Sequence, residues 1–255
     1  MIYYFTGTGN SLYAAQKLAE LTGMEIVSIA EIMQGKPMPE TNEVSGIVFP
    51  IYAWAPPAIV LDFLKKHPLK SDYVFAVCTC GGMAGKGMRM LEKALPKAPD
   101  SSYSIIMPEN YIELYDLDSK EIEAKILAAA EARIAAIAEQ INARKRGIYD
   151  VCEGKAARLK SGILSAAFNA FGKNAKRFRV EDSCIACGRC AEVCPTRNIR
   201  IEDKPQWGGD CTLCLACIHH CPAQAIQMGE HSKKRGRYTN PNCRVEYHFQ
   251  SNDGE

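Results

Sequence analysis

Short apolar runs alternate with amphipathic stretches through the first 147 residues. Ile2–Phe5, Glu25–Ile29, Gly46–Pro50, Tyr73–Cys78 and Tyr103–Met107 read as strands. Helical patterns separate them. Asn10 to Thr22 places Leu12, Ala15, Leu18 and Ala19 on one face, Ala58–Lys66 follows Pro56-Pro57, and another helix is expected near Met88–Leu95. A long helix comes next. Asp118 and Glu121 have capping-box spacing, and Ile122, Ile126, Ala130, Ile134, Ile137 and Ile141 trace an apolar stripe. Arg144-Lys145-Arg146 suit its last turn and Gly147 its end. Five strands alternating with helices imply an α/β fold, a doubly wound parallel sheet covered on both faces. Ligands in such sheets bind beyond the carboxyl ends of the strands, here loops 6–11, 50–57, 78–87 and 107–112.

The pattern changes after Gly147. Leu159, Ile163, Ala167 and Phe171 recur every four residues among many Lys and Arg. Residues 148–179 therefore read as a basic connecting helix packed on its own protein, with a membrane-surface helix as the alternative. From Gly229 on the chain is polar, with Lys233-Lys234-Arg235 and Arg237; a mobile tail, a partner patch and a strap over the neighbouring half all remain open. With 47% apolar and 24% charged residues, the chain is globular. Its net charge of +2 divides into −2 over residues 1–147 and +4 over the rest, which gives no nucleic-acid signal. No apolar run approaches about 18 residues, so no transmembrane helix is expected. Met1 leads straight into Ile2-Tyr3-Tyr4-Phe5 without a basic leader, and a cytoplasmic location is expected.

Cysteine is the outlier. Of 12 cysteines, eight fall between Cys184 and Cys221, and clustered cysteine in such a chain argues for metal binding. Cys184, Cys187, Cys190 and Cys194-Pro195 form C-x2-C-x2-C-x3-C-P, and Cys211, Cys214, Cys217 and Cys221-Pro222 repeat it. Zinc needs four ligands as two separated pairs and leaves the third and fourth cysteine of each run unexplained. Residues 180–228 resemble a bacterial-type ferredoxin with two 4Fe–4S clusters, in which the fourth cysteine of each run ligates the other cluster. The resemblance implies Cys184, Cys187, Cys190 and Cys221 on one cluster, and Cys211, Cys214, Cys217 and Cys194 on the other. His219 and His220 then read as solvent-side spacers, with tuning of a cluster by hydrogen bonding as the alternative, and Cys78 and Cys80 as packing residues.

After the first strand, Thr6-Gly7-Thr8-Gly9-Asn10-Ser11 opens a helix. Small residues, hydroxyls and a helix N-terminus are the ingredients of a phosphate cradle. A Walker A loop lacks its Lys here. A dinucleotide fingerprint has Leu12 where its third Gly belongs, although Glu31 lies near the place of a ribose-binding acid. Thr6-x-Thr8-Gly9-x-Ser11 resembles the T-x-T-G-x-T loop that holds the FMN phosphate in flavodoxins. That resemblance implies FMN, with Thr6, Gly7, Thr8, Gly9, Asn10 and Ser11 around its phosphate. Tyr52, Ala53 and Trp54 would lie at the ring, either aromatic stacking on it or simply closing the sheet top. Thr79, Cys80, Gly81, Gly82 and Gly85 would let backbone approach it closely, and Asn110 or Tyr111 would reach its edge. The second loop departs from flavodoxins in having no Gly at 51–55.

The whole chain resembles a family of flavodoxin–ferredoxin fusion proteins. The resemblance implies a flavodoxin-like FMN domain at 1–147, the connecting helix at 148–179, a two-cluster ferredoxin of α+β type at 180–228 and a polar tail at 229–255. It further implies an intracellular electron-transfer protein linking two 4Fe–4S clusters to FMN, with an unknown redox partner protein or small-molecule acceptor and a weak homo-oligomer as an option. An FMN-dependent reductase fed by its own clusters, and a redox-sensing or scaffold protein without turnover, are the alternatives.

Overall fold

The computed structural model describes residues 1–40, 43–165 and 175–249. Its larger sheet is parallel throughout: β1 (Ile2–Tyr4), β2 (Ile26–Ser28), β3 (Val44–Pro50), β4 (Tyr73–Cys80), β5 (Ser101–Ile106) and β6 (Ile148–Asp150) lie in the order β2-β1-β3-β4-β5-β6. The first five follow the flavodoxin-like 2-1-3-4-5 order. Helices α1 (Asn10–Thr22) and α5 (Lys120–Asn142) pack on one face through Leu12, Leu18, Ile134 and Ile137. Helices α2 (Ile29–Met33), α3 (Ala58–Lys66) and α4 (Gly87–Glu92) cover the other through Ile29, Val60, Phe63 and Met88. Along β1 the side chains alternate between the two cores, Ile2 and Tyr4 to one and Tyr3 to the other, as the period-2 pleat requires.

Two sequence expectations need correction here. The sheet has a sixth strand: Ile148–Asp150 pairs with Ser101–Tyr103, where the pattern suggests the start of a helix. Three residues are too few to show a period. The Arg133 guanidinium secures them by bonding the Ser104 and Asp150 carbonyls and pairing with the Asp150 carboxylate at 2.8 Å. In α5 the cap is Ser119, whose hydroxyl accepts from Ile122 N at 3.3 Å, while Asp118 instead accepts from Glu109 N. The buried row is Leu127, Ala130, Ile134, Ile137 and Ile141, and Ile122 is 48% exposed. Steps of three and four hold one face at about 100° per residue, whereas the successive fours from Ile122 through Ile126 to Ala130 drift off it.

Beyond β6, α6 (Ala157–Leu159) runs into a wide turn at Lys160–Leu164. Ala167 and Phe171 of the expected connecting helix lie outside the described residues. The second half then builds two small antiparallel ladders: β7 (Phe178–Val180) with β10 (Ile226–Met228), and β8 (Ile199–Ile201) with β9 (Pro205–Trp207). Between them stand the short helices α7 (Arg189–Glu192) and α8 (Ala216–His219). Their core joins Phe178, Ile199, Leu213, Ile218 and Met228 to Cys190, Cys194 and Cys217. Ile112, from the loop after β5, is buried in the same core and welds it to the sheet half. Among the described residues no helix is long and apolar enough to cross a membrane.

Candidate functional site

The two cysteine runs repeat in backbone as well as in sequence. Ala186 and Leu213, just before the second cysteine of each run, have φ of +50° and +53°, and Gly188 and Leu215, just after it, have +78° and +58°. Arg197 and Gln224, three residues past the last cysteine, have +51° and +48°. Left-handed non-glycine residues cost on the order of 1 kcal/mol each. Here they curl each run so that its first three sulfurs face a common centre. Amide donors repeat too: Asn198 N bonds Cys194 Sγ and Ala225 N bonds Cys221 Sγ, both at 3.3 Å.

The sulfurs face two cavities. Cys184, Cys187, Cys190 and Cys221 wall the first. Cys194, Cys211, Cys214 and Cys217 wall the second. Each cavity therefore draws its fourth cysteine from the other run. Among the described residues no three His, Cys, Asp or Glu side chains stand close enough to hold a single metal ion. Soft thiolates suit iron–sulfur chemistry. Two buried donors in the second cavity wall also lack a partner of hydrogen-bond geometry, Trp207 Nε1 and Thr212 Oγ1. The donor set thus fits a thiolate-held cluster.

The centres differ in surroundings. At the first, Cys187 is exposed and Ile185 is 67% exposed. Cys190 there is buried, like Cys194 and Cys217 at the second, where no cysteine is exposed and the Cys214 carbonyl lies against Gly7. Burial pushes the Tyr52 and Tyr247 phenols, both beside Cys214, well above their ordinary range.

His219 and His220 are not solvent-side spacers. His219 is buried between the two halves: Tyr238 N donates to its Nδ1 at 3.0 Å, which leaves the proton on Nε2 for Asn110 O at 2.8 Å. Burial lowers it to about 4, so it stays neutral. His220 meets the Gly7 backbone; burial, then the nearby Arg189, lowers it to about 4.

The glycine–threonine loop lies at the carboxyl end of β1, and its polar groups are turned inward. Ser11 Oγ and Thr79 Oγ1 share a hydrogen bond at 2.8 Å, Thr8 Oγ1 accepts from Asn110 Nδ2 at 2.7 Å, and Thr6 Oγ1 accepts from Gly9 N at 3.1 Å. The polar tail resolves into a strap across this loop. The Tyr238 hydroxyl and Asn240 Nδ2 both donate to Asn10 Oδ1, Asn240 N bonds Thr8 O, and the Tyr247 hydroxyl bonds Thr6 O. His248 N bonds Glu31 Oε1, so that acid is held by the strap and by Lys36. A Cβ on Gly7 would stand 2.5 Å from the Cys214 carbonyl oxygen. On Gly9, at φ +102° just before α1, it would stand 3.0 Å from Asn240 Cβ and Cys243 Sγ. As folded, the cradle is filled by the protein, and its residues do not fit a phosphate group unless the strap and Cys214 withdraw.

The ring-side residues are also placed. Ala53 and Trp54 form a turn at φ +45° and +61°, closed by Tyr52 and Ala55 pairing across it. Trp54 carries Lys160 over its ring at 5.7 Å, and Ser161 Oγ donates to its carbonyl at 2.9 Å. Gly81 lies beneath the Glu109 carboxylate and Gly85 beneath Ser161 and Trp54, while Gly82 is open. Cys80 is buried beside Cys78. Tyr111 turns to Glu113 rather than to the loop. The contacts that no sequence pattern signals are those of the strap, because its partners lie more than 200 residues away along the chain.

No curated protein matches this chain. Among solved structures, similar ones include a protein described as a candidate flavoprotein from Bacteroides eggerthii DSM 20697, 23% identical over 51% of this chain and 96% of its own, with a TM-score of 0.33. The azoreductase AzrA is 12% identical over 55% of this chain and all of its own, with a TM-score of 0.34. An azoreductase from Bacillus anthracis strain Sterne is 10% identical over 55% of this chain and 98% of its own, also at 0.34. Likenesses this slight say nothing of what the present chain binds. Residues 178–200 match the family model described as a 4Fe-4S binding domain, and the chain accordingly carries an iron–sulfur, electron-transport module.

Proposed function

We propose that this protein is a one-electron carrier built on two 4Fe–4S clusters. Cys184, Cys187, Cys190 and Cys221 would hold one, and Cys211, Cys214, Cys217 and Cys194 the other. The observation that carries this reading is the pair of cavities, each walled by four cysteines with one exchanged between runs. When bound, the clusters supply the electron-transfer chemistry, and the protein supplies ligation, orientation and control of water. The exposed Cys187 edge suits exchange with an outside partner. Tyr52, Tyr247 and the Gly7 loop keep water from the other centre. The boundary of the ferredoxin part near residue 180 and the flavodoxin-like part at 1–147 belong to the same proposal.

FMN beyond the carboxyl ends of β1, β3 and β4, with a reductase activity, is the second reading. The 2-1-3-4-5 strand order and the position of the glycine–threonine loop favour it; the filling of that loop by Cys214 and the strap stands against it. Anaerobic purification with iron, sulfide, zinc and flavin analysis tests both. About eight irons per chain are expected. Recovery of zinc in their place overturns the cluster reading. Eight irons without flavin overturn the second reading and leave the first intact.

A further inference from the structure

Resting on the two-cluster reading, we propose that Trp207 and Thr212 are side-chain hydrogen-bond donors to the thiolates of the second cluster and raise its reduction potential relative to the first. Three observations converge. Trp207 Nε1 and Thr212 Oγ1 are buried donors without a partner of hydrogen-bond geometry, although buried donors as a rule find one. Both residues line the second cavity. Each stands beside a ligand sulfur, Trp207 by Cys217 and Thr212 by Cys214.

Trp207 is held rigidly for the task. Its ring stacks on Phe178 at 5.1 Å and 16°, and its backbone pairs with Ile199 in the β8–β9 ladder. The wall of the first cavity is different in kind. Ile185, Ala186, Ile201, Pro205, Pro222 and Ala223 face it. Its one long polar side chain, Arg189, is taken by Glu192 and the Val245 carbonyl. Reduction adds negative charge to the sulfurs. A donor aimed at sulfur stabilises that charge, while burial without donors opposes it. Trp207 and Thr212 thus offset the burial of the second centre, a compensation the exposed first centre does not need.

The test is an EPR-monitored redox titration of the anaerobically prepared full chain and its Trp207→Phe, Thr212→Val and double variants. Phenylalanine keeps the stack on Phe178, and valine keeps the shape of threonine. In each single variant the reduction equilibrium of one cluster is expected to fall on the order of tenfold, about 59 mV for one electron, with the other cluster unmoved and a larger fall in the double variant. Thr212→Ser, which restores the hydroxyl, is expected to return the wild-type potential. Unchanged midpoints at full iron content, or equal shifts of both clusters, overturn the proposal. If Thr212→Val loses iron, Thr212→Ser and Trp207→Phe still decide it. An iron count well below eight in the wild type would instead overturn the reading on which the proposal rests.

Discussion

At Gly7 a hydrogen atom stands where other residues carry a carbon, and that difference sets how closely the halves meet. The Cys214 carbonyl enters the space a Cβ would take, and the Tyr52 hydroxyl closes the other side at 3.0 Å. The Cys214 carbonyl is backbone, so a methyl group there must push the main chain. We expect Gly7→Ala to cost about 1–3 kcal/mol, in the manner of overpacked cores, and to release iron from the second centre first. Thermal melting and an iron count on the purified variant check this. An unchanged melting temperature with all iron retained would show that the joint tolerates the methyl. The same site shows where sequence reading stops. Thr6, Thr8, Asn10 and Ser11 have the chemistry of an anion cradle, and only the fold reveals that Asn110, Thr79, Tyr238, Asn240 and Tyr247 have taken up their polar groups.

Among the elements, α5 ties its register to a measurable difference. Ile134 is fully buried between α1 and the sheet, and Ile122 is half in water. Ile134→Ala is expected to cost about 2–5 kcal/mol and Ile122→Ala well under 1 kcal/mol. Urea unfolding followed by circular dichroism distinguishes them, and equal losses would place the helix in the register of the expected stripe. The strands of the first half were legible because a buried parallel sheet writes continuous apolar runs: Tyr73–Cys80 is buried at every position. The cysteine ligands were legible because their spacing is local. β6 was not, because three residues carry no period. The strap was one of three open options for the tail, and no pattern selects it, because its anchors are single polar contacts such as that of the Tyr238 hydroxyl on Asn10, 228 positions away. The buried histidine pin was missed for the same reason: His219 has its partners in the β5–α5 loop and the strap.

For the molecule as a whole, the halves are joined by more than the chain between them. Ile112 enters the cysteine-rich core, Arg235 bonds the Ile112 carbonyl and pairs with Asp116, Arg177 pairs with Glu113, and the strap returns to the sheet with Val245 buried in its core. This joint covers one centre and leaves the other at the surface, with Cys187 in water and Cys217 enclosed. Dioxygen attacks the cluster it can reach, so brief exposure to air is expected to strip about half the iron quickly and the rest slowly. Iron release timed under air checks this, and a single phase would contradict it. An aerated sample would then pass through a stage in which the molecule keeps its protected centre but has lost the one that meets outside partners: a carrier still able to store an electron, with no terminal through which to trade it.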